Sequence, residues 1–159
     1  MKVQKLSVTR KPATLHASLA LGLLCTLLTG AQSVHAQTDE QAVLNAVTAL
    51  FDAMRARDAD ALQSAFLPEG RLGTQGTQAW IASVASSNRY LDEVTFDETV
   101  LIDTNVAMAW TPYNLFIDGD FHHCGIDVFT FRKVATQWKI LQLDDTRRTE
   151  GCDPARRGN

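Results

Sequence analysis

The sequence predicts an α+β domain, with helices packed on one face of a curved antiparallel sheet, and three observations predict it. Apolar residues recur at helical spacing as far as Val84; from Tyr90 onward they alternate or run together as strands do. Turn signals at Asp103-Thr104-Asn105, Asp118-Gly119-Asp120 and Val134-Ala135-Thr136 cut the second half into a meander. Helices first and hairpin-connected strands afterwards is the order of an α+β fold.

The chain opens with Lys2, Lys5, Arg10 and Lys11 and no acidic residue, then an apolar run from Ala17 to Leu28, then Val34-His35-Ala36. A basic head, a short apolar run and small residues at the cleavage positions are the grammar of a secretory signal, so residues 1–36 are expected to be removed after Ala36. A membrane anchor would need about 20 predominantly apolar residues, and Ser18, Gly22 and Thr26 interrupt this shorter run. Cys25 follows the bulky Leu24, unlike a lipoprotein site, and reads as part of the signal core.

Cleavage removes four of 15 basic and none of 18 acidic residues, which leaves 11 against 18 and a net charge of −7. Nucleic acid and anionic membrane surfaces are therefore poor partners, and no membrane anchor is expected after cleavage. Residues 37–159 suffice for one domain with a real core, ending in a short flexible tail.

Thr38 and Gln41 match a capping box, and Val43, Leu44, Val47, Leu50, Phe51 and Met54 make an amphipathic helix to about Arg57. Asp58 caps a shorter helix through Phe66, which must end before Pro68. Gly70, Gly73 and Gly76 read as turn chemistry around a short strand, since no Gly-Lys-Ser/Thr follows to cradle a phosphate. A third helix carries Trp80, Ile81 and Val84; Trp80, Phe66 and Trp138 read as core. Strands are expected at 94–102, 105–117, 122–133 and 137–145, with Asp118-Gly119 as a hairpin turn. Pro112 inside the second of these implies an edge or a bulge, which would re-aim Trp110 and Tyr113 either into a pocket wall or into ordinary core.

Cys124 and Cys152 are the cysteines that survive cleavage, and an oxidising compartment favours a bond between them. A metal site using these thiols with His122 or His123 is the competing arrangement, but no C-x-x-C or clustered ligand spacing supports it.

The stretches Ala109-Trp110-Thr111-Pro112-Tyr113, His123-Cys124-Gly125-Ile126-Asp127-Val128-Phe129, Trp138-Lys139-Ile140 and Asp145-Thr146-Arg147-Arg148, followed by Gly151-Cys152, resemble the nuclear transport factor 2-like superfamily. The likeness is to its exported bacterial branch, which includes proteins labelled lumazine-binding, and runs from Thr38 to Cys152. It implies a cone-shaped fold in which a bent sheet wraps a long N-terminal helix around one pocket, commonly in a homodimer. The superfamily holds ketosteroid isomerases, scytalone dehydratases, polyketide cyclases and binding proteins, so fold alone does not assign a function.

Alternation places His123, Gly125, Asp127 and Phe129 on one strand face and Cys124, Ile126 and Val128 on the other; His122 and His123 are thereby expected to point apart. In a dry pocket Asp127 would have a raised pKa and serve as general base, with His123 as proton partner. Trp110, Tyr113, Phe129, Asp145 and Arg147 complete the candidate site, Arg147 either clamping a ligand carboxylate or pairing with Asp127 or Asp145. A purely structural reading, with an Asp127–Arg147 ion pair and His123 bonded to a backbone carbonyl, is preferred at this point for that triple. The sequence thus supports a periplasmic or secreted domain that binds a small, flat organic molecule without a cofactor or metal. The alternatives are a cofactor-free isomerase, dehydratase or cyclase using Asp127 and His123, or a structural dimer without ligand.

Overall fold

The computed structural model describes residues 39–157. The expected signal, the cleavage at Ala36 and the cap at Thr38 lie outside the described residues. Among them, no helix is long and apolar enough to cross a membrane.

Helix α1, described over residues 39–56, buries Val43, Val47, Leu50, Phe51 and Met54 along one stripe. It stops where Arg57 turns left-handed (φ 57°) and the amide of Asp58 returns to the Ala53 carbonyl at 3.0 Å. Asp58 then caps α2 (Ala59–Ala65), its carboxylate accepting from the Ala61 amide at 3.0 Å. Strand β1 (Phe66–Leu72) begins directly at the C-cap, as Pro68 demands. A hairpin to the two-residue β2 (Gln75–Gly76) and helix α3 (Gln78–Ala85) follow, with Ile81 and Val84 buried.

The remaining strands are β3 (Leu91–Thr95), β4 (Thr99–Asp103), β5 (Val106–Ile117), β6 (Asp120–Val134) and β7 (Gln137–Asp145). They form one seven-stranded sheet in the order β2-β1-β7-β6-β5-β3, with β4 also pairing β5. The sheet is open and mixed rather than wholly antiparallel, because β1 runs parallel to β7. The expected single strand at 94–102 is two: Asp97 takes φ 51° and breaks it, so β3 pairs with Tyr113–Ile117 and β4 with Val106–Trp110 of the same long β5.

That handover explains Pro112. It is neither at an edge nor in a bulge; it sits where β5 changes partner. Its backbone faces β3 and β4, where its carbonyl accepts from Phe96 and no ladder bond asks for the amide proline lacks. On its other side it stays in register with Ile126 of β6. Asp118 and Gly119 both adopt positive φ (55° and 91°), the turn geometry that their sequence signalled.

The core lies between α1, α2, α3 and the inner sheet face, where Ala107, Ala109, Phe129, Phe131, Ile140 and Leu143 are buried. Cys124 and Cys152 are disulfide-bonded. The segment after β7 is held against the sheet: Cys124 and Arg148 exchange backbone bonds, and Asn114 donates to the Asp153 and Arg156 carbonyls at 2.9 and 2.8 Å.

Candidate functional site

Strand register determines which side chains meet. On the inner face, Leu115 of β5 opposes both Glu93 of β3 and His123 of β6, Tyr113 opposes Gly125, and Asp127 lies between Thr111 and Asp145. Past these strands and the C-terminal half of α1 opens a cavity of about 340 Å³, closed on its other side by α3. Its polar walls include Glu93, Tyr113, His123, Asp127, Asp145 and Arg147; its apolar walls include Phe51, Met54, Trp80 and Leu143.

Five of the seven residues proposed from sequence are therefore brought together: Tyr113, His123, Asp127, Asp145 and Arg147. Trp110 is not among them. It sits on the even-numbered, outer face of β5, is 45 % exposed and points away from the pocket side, because Pro112 introduces no bulge to re-aim it. Phe129 shares the face of Asp127 but is sealed in the core against Phe51 and Phe131, behind the cavity wall. Trp80, read as core, lines the cavity.

Glu93 was missed. The strand expected from residue 94 starts instead at Leu91, and its alternation turns Leu91 and Glu93 inward. The usable signal was the Leu91, Glu93, Thr95 alternation itself.

Neither structural pairing expected for the triple is present. Arg147 donates to the Asp145 carboxylate at 2.6 Å rather than to Asp127, and His123 meets the Tyr113 hydroxyl at 3.0 Å rather than a backbone carbonyl. Asp127 is 3 % exposed, and its Oδ2 has no hydrogen-bond partner among the described residues. Burial pushes the Asp127 carboxyl up to about 7, helped by the charge of Asp145 opposite and opposed by a hydrogen bond with Glu93 and the charge of Arg147. Glu93 is held well above the usual carboxylate range, first by burial and then by the negative charge of Asp127 and the hydrogen bond to it. Two neighbouring buried carboxyls cannot both ionise cheaply, so each keeps its proton to higher pH than it would in water.

Gly125 leaves room, but for protein rather than ligand. A Cβ there would lie 1.8 Å from the Thr146 carbonyl oxygen and 2.7 Å from the Tyr113 ring. The bare backbone lets residue 146 cross close to β6 and lets the Tyr113 hydroxyl donate to that carbonyl at 3.0 Å. The crossing carries Arg147 to the rim beside Asp145.

The expected divergence of His122 and His123 does not hold either. The β5–β6 register shifts between Leu115 and Phe116, whose partners are His123 and Phe121; His122 is the extra residue of a bulge. The bulge turns the neighbouring imidazoles toward each other, with their Nδ1 atoms 2.7 Å apart.

Neither a family profile nor a curated protein matches this sequence. Solved structures do match in fold. An NTF2-like protein with a cystatin-like fold from Novosphingobium aromaticivorans superposes with a TM-score of 0.64 at 17 % identity, covering 81 % of this chain and 93 % of that one. A candidate dehydratase of the NTF2-like family from Streptomyces avermitilis gives 0.61 at 19 %, covering 71 % and 98 %. An NTF2-like protein from Cytophaga hutchinsonii gives 0.59 at 17 %, covering 69 % and 98 %.

Proposed function

This chain carries the nuclear transport factor 2-like fold, and on that scaffold we propose that the cavity takes up a small, flat organic molecule and holds it against Asp127. The supporting observation is the buried Asp127 Oδ2, without a partner among the described residues, at the wall of a cavity that has both polar and apolar sides. An unsatisfied buried acceptor costs about 1 to 3 kcal/mol, so a ligand bringing an O–H or N–H donor to that oxygen recovers what folding leaves unpaired. A cavity of about 340 Å³ is at the small end of ligand pockets and matches a compact ring system rather than a chain or a peptide.

The carboxyl pair favours one second reading. With Asp127 poised near 7 beside a protonated Glu93, the site holds a base and an acid together, which suits cofactor-free proton transfer of the isomerase, dehydratase or cyclase kind. The basic leader and the Cys124–Cys152 bond support a periplasmic or secreted location for either activity.

Native mass spectrometry of the purified protein tests uptake. We expect wild type to carry a small adduct that Asp127→Asn lacks, while the variant melts at or above the wild-type temperature near pH 8. A variant that loses stability heavily and keeps the adduct would make Asp127 a structural residue.

A further inference from the structure

The charges that line the cavity do not balance. Among the described residues three carboxyls line it, those of Glu93, Asp127 and Asp145, against the single guanidinium of Arg147. That guanidinium is already engaged: its Nε donates to Asp145 at 2.6 Å, and its side chain is 69 % exposed at the rim. Arg55 reaches β3 from α1, but its guanidinium is committed to Asp52, Asp92 and the Glu93 carbonyl and does not line the cavity. His123 is buried, and burial, Arg147 and His122 hold its pKa below the ordinary histidine value, so at neutral pH it adds no charge. The Tyr113 hydroxyl is occupied by the Thr146 carbonyl and His123. Glu93 and Asp127 are therefore left without a cation, and Asp127 Oδ2 is buried with no hydrogen-bond partner among the described residues. Protons stand in the place of that cation, since both carboxyls keep theirs above the ordinary carboxylate range, chiefly through burial.

We propose that the ligand is a compact planar cation of the amidinium kind, an amidine, a guanidine or a protonated nitrogen ring, seated with its N–H edge on Asp127 and Glu93. This rests on the uptake reading above and names the class of molecule taken up. A carboxylate accepts two parallel N–H bonds from such a fork. A delocalised cation is more weakly hydrated than an ammonium, so it is less costly to bring into a cavity. Phe51, Trp80 and Tyr113 supply aromatic walls, and aromatic rings attract cations. The volume of about 340 Å³ suits a compact ring bearing such a group. An anion of the same outline would meet Asp127 and Asp145 while the guanidinium of Arg147 is already taken. As the cation enters, the carboxyl pair ionises against it and its protons leave to solvent, so binding releases protons and tightens as pH rises.

Benzamidine, benzamide and benzoate share one outline and differ in charge, so titration calorimetry of the three against the disulfide-bonded protein tests the class. At about pH 8 we expect benzamidine to bind about ten-fold or more tighter than benzamide, and benzoate not to bind. Benzamidine stays charged between about pH 5 and 8, and its affinity should rise over that interval, with proton release read by repeating the titration in buffers of different ionisation enthalpy. In Asp127→Asn the preference for benzamidine over benzamide should vanish; a preference that survives comes from the acidic surface and overturns the proposal. Should that variant fail to fold, the wild-type pH dependence and proton release still decide. Benzamide bound as well as benzamidine, an affinity that falls over this interval, or no binding of benzamidine at millimolar concentration overturns it. The uptake reading fails separately, on the adduct carried by the purified protein: a cavity that takes benzamide and refuses benzamidine would defeat the cation and keep the uptake.

Discussion

Asp127 and Glu93 make the pocket and pull against the stability of the fold. Both hold protons in the folded state to higher pH than they do in the unfolded chain, where Asp127 would ionise near 3.8. The folded state therefore binds more protons over that interval, and stability declines as pH rises from about 4 through 7. For the pair we expect a loss on the order of 2 to 4 kcal/mol between pH 4.5 and 8, read from urea unfolding, and Asp127→Asn should remove the share due to Asp127 and leave the part that burial of Glu93 causes. A wild-type curve that rises over this range would mean that the pair is already ionised. The exposed carboxylates Asp97 and Asp118, which Arg156, Arg89 and the Tyr90 amide hold below their ordinary values, act in the opposite sense but at lower pH.

At the scale of elements, the close crossing of residue 146 over Gly125 positions the rim. Gly125→Ala should cost about 1 to 3 kcal/mol, because a backbone carbonyl cannot step aside as a flexible side chain would. It should also weaken ligand uptake, since the displaced segment carries Arg147; a variant with wild-type melting would show that the crossing is loose. The sequence made much of this architecture legible. Period located the helices and the Asp58 cap the start of α2, Asp118-Gly119 located the main hairpin, and the alternation His123, Gly125, Asp127 put the right face inward. What it hid were the events that depend on two strands at once. A single residue in left-handed geometry at Asp97 splits a strand in two; the handover it creates accommodates Pro112 and leaves Trp110 outside; and one extra residue at His122 overrides simple alternation. Each is fixed by the partner strand's register, which local pattern does not contain. Glu93 was hidden in a similar way: its carboxyl reaches the pocket because β3 starts at Leu91 and pairs with Leu115 of β5, a register that only the partner strand fixes.

For the whole molecule, the outer sheet face has two unlike ends. Near Asn114 and Cys124 the C-terminal segment covers it, with Arg157 stacked over Phe116 at 3.9 Å. At the other end Leu101, Val106 and Trp110 stand 59 %, 40 % and 45 % exposed, in register neighbourhood with Met108. Such a patch on a small acidic domain predicts a homodimer through this face. Light scattering at micromolar concentration should give twice the chain mass for wild type and the single mass for Trp110→Glu; a monomeric wild type would leave the patch without that role. The covered end carries another consequence. The ring closed by Cys124 and Cys152 contains Asp127 on one arm and Asp145 with Arg147 on the other. Oxidation therefore adds a covalent tie between the rim of the cavity and its floor, on top of the backbone bonds of residues 146 and 148 to Ile126 and Cys124 and the Tyr113 hydroxyl on the Thr146 carbonyl. Before those two cysteines join, a chain with every hydrogen bond in place still lacks the one covalent tie across its cavity, and gains it only in an environment able to draw two electrons from it.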